Sequence, residues 1–326
     1  ASGGDVLLVA NNNIFNSNNI VVATNNTANA SKVLFDTTSG NSTGTIENNG
    51  AITSTGGTTA TGSNLTNILV KSSGGKIFSN GTINISGDIT VSNRYNVGGT
   101  NSTFINQYNA SANTATYVQT TAGVTITAGI SAKNINIYGA YNGYLSSAVW
   151  LQANLTATGN INLAGYHSLA AAAGNNNGSA GIYTNGALNF NAGGTFFVYG
   201  NTNSTVAGLS GIGVYLWAGL GTAKLNVIAN KIEILGSSTN TSAGDTTATS
   251  LNLANGVNFT IRNSNDYVNG GEAFSFRSTV VTNFGRGIRI SNGSITNNSN
   301  GGDIVFASNG SIGTFVPINL AKNTST

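Results

Sequence analysis

A short apolar phrase, a glycine or asparagine turn and a second apolar phrase recur along this chain of 326 residues, and this repetition constrains the fold more than any single residue does. Ile83-Asn84-Ile85 precedes Gly87-Asp88 and Ile89-Thr90-Val91. Leu155-Thr156-Ala157 precedes Gly159-Asn160 and Ile161-Asn162-Leu163. Leu188-Asn189-Phe190 precedes Gly193-Gly194 and Phe196-Phe197-Val198, and Leu225-Asn226-Val227 precedes Asn230 and Ile232-Glu233-Ile234. The same sentence returns over 124–137, 251–261, 288–295 and 304–312. Positions i and i+2 of each phrase are apolar, with Asn or Thr often between them, which is the period-2 signature of a half-buried strand.

Strands this short, with turn residues at equivalent places, fit a coil of stacked rungs better than a hairpin-joined sandwich or barrel. The intervening asparagines would then stand above one another and hydrogen-bond along the axis. The sequence therefore predicts an all-β, right-handed parallel β-helix (β-solenoid) with loop insertions. It is read as one repeat domain over residues 1–326, either a segment of a longer chain or a filament subunit. Longer excursions over 93–121, 138–153, 200–221 and 236–250 interrupt compact units and are expected to leave the coil on one face. With a rung spacing of about 4.8 Å, roughly 12–15 rungs would make a rod about 60–70 Å long.

Composition narrows the function classes. Charged residues make up 6% of the chain, against about 25% in ordinary domains. With 12 Lys+Arg against 9 Asp+Glu, the chain lacks the field that steers nucleic acid or acidic lipid, so no nucleic-acid partner is expected. There is no cysteine, which fits a secreted solenoid whose long core replaces disulfides. No run of about 18 apolar residues suggests a membrane-spanning helix.

The phrases Gly87-Asp88-Ile89-Thr90-Val91, Gly159-Asn160-Ile161-Asn162-Leu163, Ala192-Gly193-Gly194-Thr195-Phe196 and Gly302-Asp303-Ile304-Val305-Phe306 resemble the repeats of filamentous-haemagglutinin-like exoproteins, the adhesins exported by two-partner secretion. The resemblance covers most of residues 80–315; the family's N-terminal secretion module is not found in 1–80. It implies a right-handed β-helix on the bacterial cell surface, acting in adhesion, aggregation or biofilm, and it supplies no catalytic residues.

Other β-helices are polysaccharide lyases and tailspike glycosidases, which require paired carboxylates or an acidic calcium cluster. Here the nine acids are scattered singly, the nearest set being Asp266 and Glu272. His167 is the single histidine, too little for histidine-based catalysis or metal binding, and is read as a loop or surface residue. The expectation is thus a non-enzymatic extracellular fibre with no cofactor or metal, the alternative being a polysaccharide-active β-helix. Its partners are expected to be glycans, host or neighbouring cell surfaces, and other copies joined head to tail. Candidate ligand-binding residues are the aromatics assigned to exposed loops, Tyr141, Tyr144, Trp150, Tyr215 and Trp217. A candidate acidic-sugar patch is Arg262, Arg277, Arg286 and Arg289. Sequons such as Asn80-Gly-Thr and Asn154-Leu-Thr are abundant; chance accounts for most of them in a chain this rich in Asn, Ser and Thr, and N-glycosylation, which the resemblance implies for some of its adhesins, is the alternative.

Overall fold

The computed structural model describes residues 5–22, 31–39, 44–54, 65–93, 123–142, 147–169, 180–204, 211–240, 249–254, 256–264, 266–280, 286–291, 293–308, 311–315 and 318–320. They form strands and no helix. Three sheets each contain ten strands, and every strand hydrogen-bonds to those three places before and after it in the chain. The first rung is Val6–Val9, Ile14–Asn16 and Ile20–Val22, one strand in each sheet. All pairings are parallel, as in Val6↔Val33, Ile14↔Ile46 and Ile20↔Ile52. The chain is a parallel β-helix.

Alternation within the phrases produces its core. In the third sheet, Ile20, Ile52, Ile83, Ile130, Leu155, Phe190, Val227, Phe259, Ile295 and Ile318 stand in one unbroken in-register column. A second column in the first sheet runs from Val33 through Ile68, Ile89, Ile135, Ile161, Phe196 and Ile232 to Phe274. β-Branched side chains suit such stacking because the preferred rotamer repeats from rung to rung. Phenylalanines widen the core in places, with Phe190 on Phe196 at 5.7 Å and Phe274 on Phe276 at 4.3 Å between ring centroids.

The expected amide ladders are present. Asn226 Nδ2 donates to Asn189 Oδ1 at 3.0 Å, Asn258 Nδ2 to Asn226 Oδ1 at 3.1 Å, and Ser294 Oγ to Asn258 Oδ1 at 3.0 Å. Asn162 Nδ2 donates to Asn136 Oδ1 at 2.8 Å. At the turn from the third sheet to the first, Asn134 Oδ1 accepts the Asn160 N–H and Asn160 Oδ1 the Thr195 N–H, both at 2.8 Å. These side chains replace water for backbone groups that a tight turn leaves unpaired.

Two sequence expectations change. The repeating unit is a rung of three strands, and there are ten rungs rather than 12–15, spanning about 43 Å at the usual inter-strand spacing. Rungs are longer than the phrases suggest: in-register partners lie 25 residues apart at Val124↔Val149 and 47 apart at Ile77↔Val124. The four excursions do share one place, since each connects a first-sheet strand to the next second-sheet strand. A fifth excursion lies there too, between Leu169 and Ala180.

At that corner the first-sheet strands overshoot the core. Ile135–Asn142, Ile161–Leu169, Thr195–Ser204, Lys231–Asn240 and Glu272–Val280 are eight to ten residues long, while most strands of the third sheet have three to five. Their outer halves pack on the beginnings of second-sheet strands and form a thin two-layered fin. Gly139, Gly165, Gly200 and Gly236 stack in register at its base. A β-carbon at Gly139, Gly165 or Gly200 would run into the carbonyl oxygens of Ala148, Gly181 and Gly213 respectively. Beyond the glycines, Thr202 Oγ1 donates to Ile212 O at 2.6 Å and Ser238 Oγ to Gly211 O at 3.1 Å.

Candidate functional site: an aromatic row on the second sheet

The fin relocates two residues that the sequence put at the surface. Tyr141 and His167 are in-register neighbours on its inner side, both buried, with ring centroids 5.2 Å apart. Tyr141 is therefore a packing residue rather than an exposed loop aromatic, and His167 lies inside the protein. The reason is the overshoot, which turns the start of an apparent excursion into strand. Tyr144 falls outside the described residues.

Trp150, Tyr215 and Trp217 are likewise on strands, Val149–Leu151 and Ile212–Trp217 of the second sheet. Their flanking residues Val149, Leu151, Val214 and Leu216 are fully buried, so alternation turns the aromatic rings outward. Register then assembles a row. Trp150 pairs with Tyr183 and Tyr183 with Tyr215, each one rung above the last. Ring centroids are 5.9 Å apart for Trp150–Tyr183 and 5.4 Å for Tyr183–Tyr215. Trp217, two residues along from Tyr215, lies 6.3 Å from Tyr215 and 6.4 Å from Tyr183, with interplanar angles of 17° and 24°. At these separations the rings are offset, not superposed, so each leaves part of its face uncovered by its neighbour. Sequence reasoning missed Tyr183, the ring that touches all three others. Its signal was its place between the apolar Ile182 and Thr184, in step with Trp150.

Burial pushes the Tyr183 hydroxyl up to about 12, with Tyr215 adding to the effect. Burial also raises Tyr215, against the opposing charge of Arg289. Both phenols therefore stay neutral donors under ordinary conditions. The same outward column continues through Asn252 to Arg289.

The four arginines do not form a patch. Arg277 is on the first sheet and ion-pairs with Glu272. Arg262 follows a third-sheet strand and donates to Ala192 O at 2.9 Å and to Asn191 Oδ1. Arg286 starts the second-sheet strand Arg286–Ser291, its side chain outside the described residues. Only Arg289 is placed beside the aromatic row. Of the two neighbouring acids, Glu272 is held by Arg277 and Asp266 accepts the Ser264 hydroxyl at 2.5 Å.

A shallow groove of about 550 Å³ on the first sheet is lined by Asp5, Lys32, Asn67, Asp88 and Thr90 among others. Both of its acids are engaged: Asp5 accepts the Lys32 backbone N–H at 2.9 Å, and Asp88 accepts Asn134 Nδ2 and donates its own N–H to Asn67 Oδ1, both at 2.8 Å. The aromatic row, by contrast, presents partly exposed rings and the exposed guanidinium of Arg289.

What fold and site define is a class, a parallel β-helix with an outward aromatic row along one sheet. No protein-family model, curated protein or solved structure matches the chain.

Proposed function

We propose that this protein is an extracellular bacterial surface fibre, or a segment of one, whose role is adhesive or structural rather than catalytic. The observation that carries the reading is the aromatic row Trp150–Tyr183–Tyr215–Trp217 on the outer face of a ladder-braced coil. Half-buried rings of this kind are fixed before any ligand arrives, so little rotamer entropy is lost on contact. Their exposed faces suit the C–H faces of sugar rings, and the tyrosine hydroxyls suit sugar hydroxyls. The coil supplies stiffness, because each rung is bonded to the next by three sheets and several side-chain ladders.

Head-to-tail association is part of the proposal.

Purified protein and its Trp217→Ala, Tyr183→Ala variant would be compared for retention on glycan-coated surfaces and imaged by electron microscopy. Retention by the wild type, lost in the variant at unchanged thermal stability, supports adhesion. Turnover of a polysaccharide by the wild type would instead support the alternative, a polysaccharide-active β-helix.

A further inference from the structure

We infer that the aromatic row binds an acidic glycan, with sugar rings on Tyr183, Tyr215 and Trp217 and a carboxylate on Arg289. The inference rests on the adhesive reading above and names its ligand class.

Three observations converge on one end of the row. First, Tyr215, Asn252 and Arg289 are consecutive members of one outward column, one rung apart. The Arg289 charge acts on the Tyr215 hydroxyl, so cation and ring share one local environment. Second, Arg289 is exposed, and among the described residues no carboxylate pairs with it. Arg262 and Arg277 are both occupied by protein partners. Third, Asn252, between them, is only 9% exposed, and its Oδ1 has no hydrogen-bond partner. A buried acceptor left unmet is costly, and native proteins rarely tolerate one without a reason. Trp150 Nε1, at the other end of the row, is also buried without a partner.

A pyranose chain carrying a carboxylate meets the three demands at the Arg289 end of the row. Its rings lie against the offset aromatic faces. A ring hydroxyl donates to the Asn252 amide oxygen once that amide turns outward. The carboxylate takes two parallel N–H donors from the Arg289 guanidinium, the geometry in which arginine surpasses lysine. A neutral sugar would satisfy the rings and leave the guanidinium unused. A free inorganic anion would do the reverse.

The test is an array of oligosaccharides printed as matched pairs, each uronic or sialic acid member beside its methyl ester. Wild type, Arg289→Gln and Trp217→Ala are compared, with folding of each variant checked by thermal melting. The expected result is that acid members bind about tenfold tighter than their esters. Arg289→Gln should erase that difference while leaving ester binding unchanged, and Trp217→Ala should weaken both. Equal binding of acid and ester, with both lost in Trp217→Ala, overturns the carboxylate assignment and leaves the sugar platform standing. Binding of no member of the array overturns both.

Discussion

Gly165 lies so close to the carbonyl of Gly181 that no side chain fits between them. The two residues belong to the facing layers of the fin, and the same relation recurs one rung away on either side at Gly139 against Ala148 and Gly200 against Gly213. A Gly165→Ala variant should therefore lose about 3 kcal/mol, the upper range for overpacking, because the obstacle is backbone rather than a movable side chain. Gly129→Ala is the control, since its β-carbon would meet nothing nearer than Asn154 O at 3.7 Å. Urea denaturation monitored by circular dichroism should show a large drop in midpoint for the first and almost none for the second.

Asn93 makes a related point with hydrogen bonds. Its side chain is fully buried and bonds both ways to one residue of the next rung, donating from Nδ2 to Ala140 O at 2.9 Å and accepting from Ala140 N at 2.8 Å. It thus ties the chain just before the longest excursion to the first-sheet strand of the next rung. Asn93→Ala should cost about 2–3 kcal/mol, since both buried backbone groups lose this partner. Asn226→Ala, in a more exposed ladder, should cost about 1 kcal/mol or less. Equal losses at the two sites would show that burial is not what sets the worth of these amides.

These residues also show what the sequence could reveal. Period-2 alternation identified the strands because an inward position must be apolar at every rung, and stacked asparagines were expected because rungs repeat. The phase of the coil was hidden. Leu155–Ala157 to Ile161 crosses from the third sheet to the first, whereas Leu251–Leu253 to Phe259 crosses from the second to the third. The phrases look alike because turns at different corners use the same glycines and asparagines. Rung length was illegible for the same reason, and the rung count came out too high. At the site, Trp150, Tyr215 and Trp217 could be picked by residue type, but adjacency came only from register. Register gathered in Tyr183, removed Tyr141 to the fin, and left Arg289 alone among the arginines.

Asp36 and Lys71 form a partly buried ion pair of 2.8 Å between in-register neighbours of the first sheet. Burial by itself would raise the Asp36 carboxyl. Hydrogen bonds from Lys71 and Thr38, with the lysine charge, outweigh it and hold the group below its ordinary 3.8. A depressed folded value means that the stabilisation is present above the unfolded value and is lost as pH falls through the folded one. The native protein should therefore keep this contribution at about pH 5 and shed it only below the ordinary carboxylate range. In Lys71→Met only the Thr38 hydrogen bonds oppose burial, so the Asp36 carboxyl should rise from its depressed value and the stability lost from this group on acidification should shrink. Denaturation midpoints measured across the acid range check the direction; an unchanged profile in Lys71→Met would remove the lysine from the account.

The alkaline limb tests the aromatic row. Tyr183 in the folded protein ionises at about 12, against an ordinary 10.0, chiefly through burial. The raised folded value carries the opposite sign from Asp36. The unfolded chain releases its proton first, so stability is complete below pH 10 and declines as pH rises toward about 12. Trp217→Ala should uncover the phenol and bring its titration down, read from phenolate absorbance in a background where the other tyrosines are held constant. Arg289→Gln should act on Tyr215 alone. Its charge presently lowers that hydroxyl, so its removal should raise the Tyr215 transition and leave Tyr183, whose raised value comes from burial and Tyr215, close to where it was. A shift of both tyrosines by the same amount would mean that the guanidinium lies equally near each ring, against the column order Tyr183, Tyr215, Asn252, Arg289.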